Sequence, residues 1–145
     1  MYFLLYYMGY IKSTDYHMLK LSSNPKNVAV VENFVGKICR EYHIQKDIYG
    51  NILISLTEAV NNAIIHGNKN DESKSVHIQT RKAPDRIAIR VSDEGRGFDA
   101  AELPDPTCPH NLTKCGGRGV FLMKQLSDRV DFLDDGRTVE MHFKI

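Results

Sequence analysis

Two short segments in the middle of the chain alternate strictly between apolar and polar residues, and this pattern constrains the fold more than any other feature of the sequence. The segments cover residues 76–80 and 86–91, and the stretch 82–85 between them contains Pro84 and predicts a hairpin turn. Successive side chains of a strand point to opposite faces of a sheet. The alternation therefore predicts two paired strands.

Helical and strand patterns follow one another along the rest of the chain. Asn24 and Pro25 predict the start of a helix that runs toward Tyr42, because proline is well tolerated in the first helical turn. The other expected elements are strand 17–23, helix 46–66, a long proline-containing loop at 99–115, helix 119–127, and strands 130–133 and 138–145 about the turn 134–136. The order of these elements predicts a single α+β sandwich.

Composition narrows the class of protein. A chain of 145 residues is large enough for one domain with a sheet and a helical layer. Its 19 basic and 18 acidic residues nearly cancel, so charge gives no reason to expect a nucleic-acid partner. The three cysteines, Cys39, Cys108 and Cys115, form no close pair and predict reduced thiols in a cytoplasmic protein.

The first residues of the chain form an apolar and aromatic segment with no charge before Lys12. This segment is too short to cross a bilayer. We predict a mobile N-terminal extension over residues 1–17, or an upstream start codon, with no membrane attachment. An anchor for a membrane or a partner protein is the alternative.

The second predicted helix is apolar around most of its circumference and polar along one narrow stripe. Ser55, Glu58, Asn62 and His66 are spaced three or four residues apart and therefore share that stripe. A solvated stripe on an amphipathic helix is the ordinary interpretation. The functional interpretation is a magnesium site at the Asn62 amide oxygen, with Glu58 as a base beside it.

Glycines next to charged residues mark two further candidate segments. Asp93 ends a predicted strand and is followed by Gly95 and Gly97, so the segment is either a polar turn or a site where a carboxylate accepts a hydrogen bond from an adenine amino group. Residues 116–119 have the sequence Gly-Gly-Arg-Gly at a helix start, where free backbone amides favour phosphate. A flexible glycine loop before a helix is the competing interpretation. No P-loop motif is present.

Two other polar features are weaker candidates. Cys108, His110 and Cys115 are scattered in the predicted loop without a fourth ligand, so zinc is disfavoured. His66 either reaches the site or caps its helix before Gly67, and the cap is favoured.

The three segments together resemble the N, G1 and G2 boxes of the ATPase superfamily that joins gyrase, heat-shock chaperones, histidine kinases and the mismatch-repair protein MutL. Residues 58–67, 93–99 and 116–123 are most similar to the bacterial anti-sigma-factor serine kinases. The resemblance covers about residues 18–145. It implies a histidine-kinase-like ATP-binding domain over 18–145, a two-layer α/β sandwich of Bergerat type in which a mixed, mostly antiparallel sheet carries helices on one face.

The resemblance also implies roles for individual residues. Glu58 matches the general base, Asn62 the magnesium ligand, and Asp93 the aspartate that holds the adenine amino group, with residues 99–115 as an ATP lid. The implied ATP-binding positions are Asn62, His66, Asp93, Gly95, Gly97, Lys114, Gly116, Gly117, Arg118, Gly119 and Val120. The implied cofactors are ATP and magnesium.

The implied activity is transfer of the γ-phosphate to a serine of a small anti-anti-sigma partner of the STAS type. A sigma factor would be sequestered when that partner is modified, and relatives of this kind commonly form homodimers. Two alternatives stay open. One is an ATP-dependent anti-sigma or signalling binding module without kinase turnover, and the other is the detached catalytic half of a histidine kinase.

Overall fold

The computed structural model describes residues 15–97 and 117–145. Within these two ranges the strands are β1 (Tyr16–Ser22), β2 (Ser75–Ala83), β3 (Arg86–Ser92), β4 (Arg129–Leu133) and β5 (Thr138–Lys144). The α-helices there are α1 (Val28–Glu41), α2 (Lys46–Asn62) and α3 (Gly117–Leu126). The predicted elements in these ranges are confirmed, with ends that differ by a few residues.

The five strands form one sheet in the order β1-β2-β3-β5-β4. The predicted hairpin is β2–β3, which closes at the pair Ala83 and Arg86. All four neighbouring pairs are antiparallel, so the described strands contain no parallel pair. A mixed, mostly antiparallel sheet was expected, and the described part of the sheet is entirely antiparallel. The β3–β5 pairing brings Val91 opposite Val139 at the centre of the sheet.

One face of the sheet carries the helical layer. Ile87, Ile89 and Val91 of β3 are buried, and the residues between them are partly exposed. Buried side chains of the helices complete this core, among them Val31, Val35, Ile38, Ile52, Leu56, Val60 and Met123. Full burial of each such side chain stabilises the fold by about 1.5–3 kcal/mol. The alternation therefore places the core on one side of the sheet, as predicted.

The other face of the sheet is polar and includes a partly buried ion pair. Arg90 donates from Nε and Nη2 to Glu140 Oε2, at 2.8 and 2.6 Å. Burial acts to raise the pKa of Glu140, but the hydrogen bonds and charge of Arg90 outweigh it, and the pKa is lowered. This carboxylate is therefore held in its charged form.

The first helix begins as the sequence predicts. Asn24 Oδ1 accepts a hydrogen bond from Lys26 N at 3.0 Å, and Pro25 opens a short 3₁₀ turn, Pro25–Asn27, that leads into α1. An asparagine side chain at this position satisfies an amide that the helix itself leaves free. The predicted start at Asn24 and Pro25 is confirmed.

The second helix changes geometry in its last turn. A continuous helix was expected to His66, but α-helical geometry ends at Asn62 and a wider π turn follows over Ala63–Gly67. Asn68 N donates to Ala63 O at 2.8 Å, which is the five-residue spacing of a π turn. Such turns are rare and are frequently found at functional sites, so this region is a candidate for one.

Several predictions fall at or beyond the edges of the described ranges. The N-terminal segment up to residue 14, the loop 99–115, Lys114, Gly116 and the disfavoured zinc candidates Cys108, His110 and Cys115 lie outside the described residues. β1 begins at Tyr16, two residues before the predicted start of the domain, and the division at residue 17 stays a prediction. No helix within 15–97 or 117–145 is long and apolar enough to cross a membrane.

Candidate functional site

A cavity of about 270 Å³ opens between the end of α2, the sheet and α3. Its apolar walls come from all three elements, and its polar groups lie at the end of α2, in and just after the π turn, and after β3 and β4. The described residues that line it are Ala59, Asn62, Ala63, His66, Gly67, Lys69, Val91, Asp93, Gly97, Val120, Met123, Phe132, Gly136, Arg137 and Val139. An apolar cavity with a few converging polar groups is the usual form of a small-molecule site.

At one end of the cavity, which we call the helix end, α3 packs directly against α2. Glu58 and Asn62 lie one turn apart on α2, and Gly119 of α3 is buried against them. A β-carbon built on Gly119 would lie 2.9 Å from Glu58 Oε2 and 3.2 Å from Asn62 Nδ2. A side chain larger than that of glycine would therefore displace the polar ends of Glu58 and Asn62 from their present positions.

The helix end combines groups that suit an anion and a metal ion. The first amides of an α-helix lack partners within the helix and attract negative charge. Gly117 and Gly119 lie in the first described turn of α3 and are both buried, whereas Arg118 is exposed. The amide oxygen of Asn62 is a hard ligand of the kind that magnesium prefers.

At the opposite end of the cavity, which we call the carboxylate end, Asp93 follows β3. Its backbone N donates to Arg137 O at 2.9 Å, and its Oδ1 accepts from Gly95 N at 2.8 Å. Its carboxyl group packs against Gly67, since a β-carbon there would lie 2.7 Å from Oδ1 and closer still to Cγ and Oδ2. The carboxylate thus has a fixed position against the π turn.

Burial disfavours the charged form of Asp93. Desolvation raises the pKa of this half-buried carboxyl, and the nearby charge of Asp134 adds to that rise. The hydrogen bond from Gly95 N and the positive charges of Arg137 and Lys74 act in the opposite direction, and burial prevails. A carboxyl with a raised pKa in a cavity is typical of functional positions.

Gly97 contacts the turn between β4 and β5. Its φ is 80°, and a β-carbon built on it would collide with the carbonyl oxygen of Asp135. Asp134 and Asp135 themselves have φ values of 55° and 54°, in the left-handed region that few residues adopt. Glycine at position 97 is therefore needed both for its own conformation and for this contact.

The structure brings most of the predicted site residues into one region. Asn62, His66, Asp93, Gly97 and Val120 line the cavity. Glu58 and Gly119 meet at its helix end, and Gly95 packs against Gly67 at its carboxylate end. His66, for which a helix cap was favoured over a place in the site, lines the cavity from the π turn.

The sequence reasoning missed three residues that shape the carboxylate end. Gly67, which ends the segment 58–67 and was interpreted as the stop of a helix, forms the wall behind Asp93. Arg137 lines the cavity and holds Asp93 N through its carbonyl oxygen. Asn68 is fully buried and accepts from Glu94 N at 2.8 Å. No periodic pattern marks these positions, because each acts through a contact with a segment distant in sequence.

The domain has an antiparallel sheet with one helical layer. Its cavity is bounded by a carboxylate at one end and by a glycine-containing helix start at the other. These features together define a nucleotide-binding α+β domain. Comparison with known families agrees. The chain belongs to the histidine kinase-like ATPase domain family, whose model matches residues 21–143.

Individual relatives place the chain more narrowly within this family. The serine-protein kinase RsbW of Bacillus licheniformis is 28% identical over 137 residues, which cover 90% of this chain and 86% of the relative. The serine-protein kinase RsbW of Bacillus subtilis (strain 168) is 28% identical over 124 residues, with 81% and 78% covered. The resemblance to the anti-sigma-factor serine kinases is thereby confirmed.

A solved structure supports the fold. The crystal structure of the RsbU and RsbW domains of Rv1364c from Mycobacterium tuberculosis matches with a TM-score of 0.62 at 12% identity. The match covers 89% of this chain and 31% of that longer chain. At this identity the likeness concerns the fold alone.

Proposed function

We propose that this protein is an ATP-dependent protein serine/threonine kinase that regulates a sigma factor. It phosphorylates a small anti-anti-sigma partner of the STAS type and sequesters the sigma factor when that partner is modified. The observation that carries the proposal is the packing of Gly119 against Glu58 and Asn62. This contact joins an acid, a candidate metal ligand and a helix start, which are the groups that phosphoryl transfer needs.

The described residues fit ATP. The cavity has apolar walls for a flat base, and Asp93 offers an acceptor for the exocyclic amine of adenine. Gly95 and Gly97 keep the backbone beside Asp93 free of side chains. Buried Gly117 and Gly119 at the start of α3 favour the phosphates. His66, Arg118 and Val120, together with Lys114 and Gly116 outside the described residues, complete the proposed set.

The proposal assigns magnesium to the Asn62 amide oxygen. This side chain lies on α2 beside the start of α3, where the phosphates are expected. Magnesium keeps several waters and shares its remaining positions with phosphate oxygens, so one protein ligand is chemically sufficient. When bound, ATP would supply the γ-phosphoryl group and magnesium would neutralise its charge.

Glu58 acts as the general base in this proposal. Its carboxylate lies against Gly119, within reach of a hydroxyl group presented at the helix end of the cavity. It accepts the proton of the attacking serine, and positioned bases of this kind contribute about 10²–10⁴-fold to rate. Holding a sigma factor needs no base, so the two activities are separable.

A single-turnover phosphorylation assay tests the proposal. The protein is incubated with labelled ATP, magnesium and a candidate anti-anti-sigma partner, with a serine-to-alanine version of that partner as control. We expect acid-stable label on the first partner only. Binding of ATP without transfer to any serine partner would favour the binding-module alternative, and acid-labile label on histidine would favour the detached histidine kinase.

The assembly state and the location belong to the same proposal. We place the protein in the cytoplasm as a homodimer, on the strength of its resemblance to the anti-sigma-factor kinases. Analytical ultracentrifugation across a range of protein concentrations tests the dimer, and a single species at the monomer mass of 16.5 kDa would contradict it.

A further inference from the structure

Asn68 is a fully buried polar residue immediately after the π turn and does not belong to the proposed set of ATP-binding residues. Its relative exposure is 0%, which is unusual for an asparagine. Buried amides need hydrogen-bond partners for both their donor and their acceptor atoms. The identity of those partners shows what this side chain connects.

The side chain of Asn68 joins three separate segments. Its Nδ2 donates to Ser23 Oγ after β1 at 2.8 Å and to Ser75 O at the start of β2 at 3.0 Å. Its Oδ1 accepts from Glu94 N, after β3, at 2.8 Å. Both amide hydrogens and the carbonyl oxygen are therefore used, and the side chain has one favoured orientation.

These bonds fix the segment that carries Asp93. Glu94 is the next residue along the chain, and Asp93 itself packs against Gly67, the residue that precedes Asn68. Gly95 packs against the carbonyl of Gly67 as well. Residues 67 and 68 thus contact residues 93, 94 and 95, and the amide of Asn68 is the hydrogen-bonded part of that contact.

The π turn sets Asn68 in place. Because Asn68 N donates to Ala63 O rather than to a residue four positions back, the chain leaves the helix directly toward β2 and β3. That backbone bond does not involve the side chain. A substitution of Asn68 can therefore remove the link to Glu94 while the turn keeps its own hydrogen bond.

We propose that Asn68 is a positioning residue that orients the Asp93 carboxylate and thereby sets the selectivity of the site for adenine over other purine bases. The inference rests on the proposed function, because it takes Asp93 to accept a hydrogen bond from the adenine amino group. Asn68 touches no nucleotide in this role. It acts through the backbone of Glu94.

The test compares the affinities for ATP and inosine triphosphate, whose base carries a carbonyl oxygen in place of the adenine amino group. We expect the wild type to prefer ATP. In Asn68→Ala the affinity for ATP should fall roughly tenfold, the equivalent of one hydrogen bond, and the preference should shrink toward unity. Titration calorimetry with both nucleotides measures this ratio.

Ser23→Ala is the matched control. It removes one hydrogen-bond partner of the same side chain on the β1 side and leaves Glu94 N bonded to Oδ1. We expect it to lower stability toward urea while the ratio of ATP to inosine triphosphate affinity stays at the wild-type value. A purely structural role for Asn68 would instead make the two variants behave alike.

The outcomes separate this inference from the proposed function. If wild-type protein binds no ATP, the proposed function fails. If the wild type transfers phosphate but binds both nucleotides equally, or if Asn68→Ala keeps the wild-type ratio, the inference is overturned and the kinase proposal stands. Should Asn68→Ala not fold, hydrogen exchange of the wild type decides, because an unprotected Glu94 amide would show that the bond does not hold in solution.

Discussion

The two ends of the cavity are built in different ways. At the carboxylate end, Asp93 has a backbone bond to Arg137, a side-chain bond from Gly95 and a packed wall at Gly67. At the helix end, no hydrogen bond to the side chains of Glu58 or Asn62 is found among the described residues, and both side chains lie against Gly119.

This difference corresponds to two kinds of task. Recognition of a rigid base benefits from a carboxylate that is fixed before binding, since less freedom is lost on association. Chemistry needs a base and a metal ligand whose polar atoms are not already used by the protein. We therefore expect loss of the base at the helix end to alter rate, and changes at the carboxylate end to alter affinity.

The largest expected effect is at the helix end. Glu58→Gln keeps the size of the side chain and removes its basicity, so phosphoryl transfer should fall by roughly 10²–10⁴-fold. Binding of ATP should persist, and Asn62→Ala should instead remove the magnesium-dependent part of the affinity. Single-turnover phosphorylation, with ATP titrations in the presence and absence of magnesium, measures both. Transfer by Glu58→Gln at the wild-type rate would mean that another residue is the base.

The next effect is at the carboxylate end. Asp93→Ala removes a charged acceptor, and the affinity for ATP should fall by about ten- to a hundred-fold while the protein stays folded. Titration calorimetry measures the affinity, and circular dichroism checks the fold. Unchanged affinity would show that Asp93 does not bind the nucleotide, and the proposed division of tasks between the two ends would then be wrong.

A pair of glycine substitutions tests how tightly the carboxylate end is packed. A β-carbon at Gly95 would collide with the carbonyl oxygen of Gly67, so Gly95→Ala should destabilise the protein by about 1–3 kcal/mol. Gly50 lies inside α2, and apart from its chain neighbours and the local helix backbone no atom lies within 4 Å of such a carbon. Gly50→Ala should therefore stabilise it by about 0.5–1 kcal/mol. Urea unfolding of both variants measures the change in the free energy of unfolding and its sign. If Gly95→Ala left this free energy unchanged, the carboxylate end would be able to rearrange around an added methyl group.

The smallest effect is on the pH dependence of stability. Burial raises the pKa of Asp93 in the folded state, so its contribution to stability is present below its unfolded pKa and is lost as pH rises through the folded value. Asp93→Asn should then be more stable than the wild type at pH 7, and the difference should vanish in acid.

Glu140 provides the control of opposite sign. Arg90 lowers its pKa, so its contribution is present above its unfolded pKa and is lost as pH falls through the folded value. Glu140→Gln should be less stable than the wild type at pH 7 and approach it in acid. Thermal melts of both variants from neutral to acidic pH measure this, and shifts of the same sign would contradict the assigned directions.

The sequence predicted the fold well because its signals are local. Alternation in β2 and β3 and the cap at Asn24 depend on neighbouring residues, and each appears where it was expected. The change from α to π geometry after Asn62 was not predictable in this way. This change depends on the direction that the chain takes after the helix. That direction is set by packing against segments that are distant in the sequence.

The same distinction applies to the candidate site. Glu58 and Asn62 were expected to share one helix face from their spacing, and they meet Gly119 together. Gly67 and Asn68 gave no such signal, since their partners are 26 residues away at Asp93 and Glu94. Sequence motifs predicted the side chains that are suited to chemistry. The residues that hold those side chains in place are identified only by their contacts in the structure.

The π turn also has a consequence for chain length. A π turn contains one residue more than the α-helical turn it replaces, so removal of a single residue from Ala63–Gly67 would let the α-helical ladder continue. The residues after the deletion would keep their direction, because the α-helical turn completes the same rotation with one residue fewer. Related chains that are one residue shorter at this point should therefore still direct the residue that corresponds to Asn68 toward the end of β3. A deletion earlier in α2 would instead rotate the residues that follow it by about 100°, so the π turn is the place in this helix where a change of length should be tolerated best.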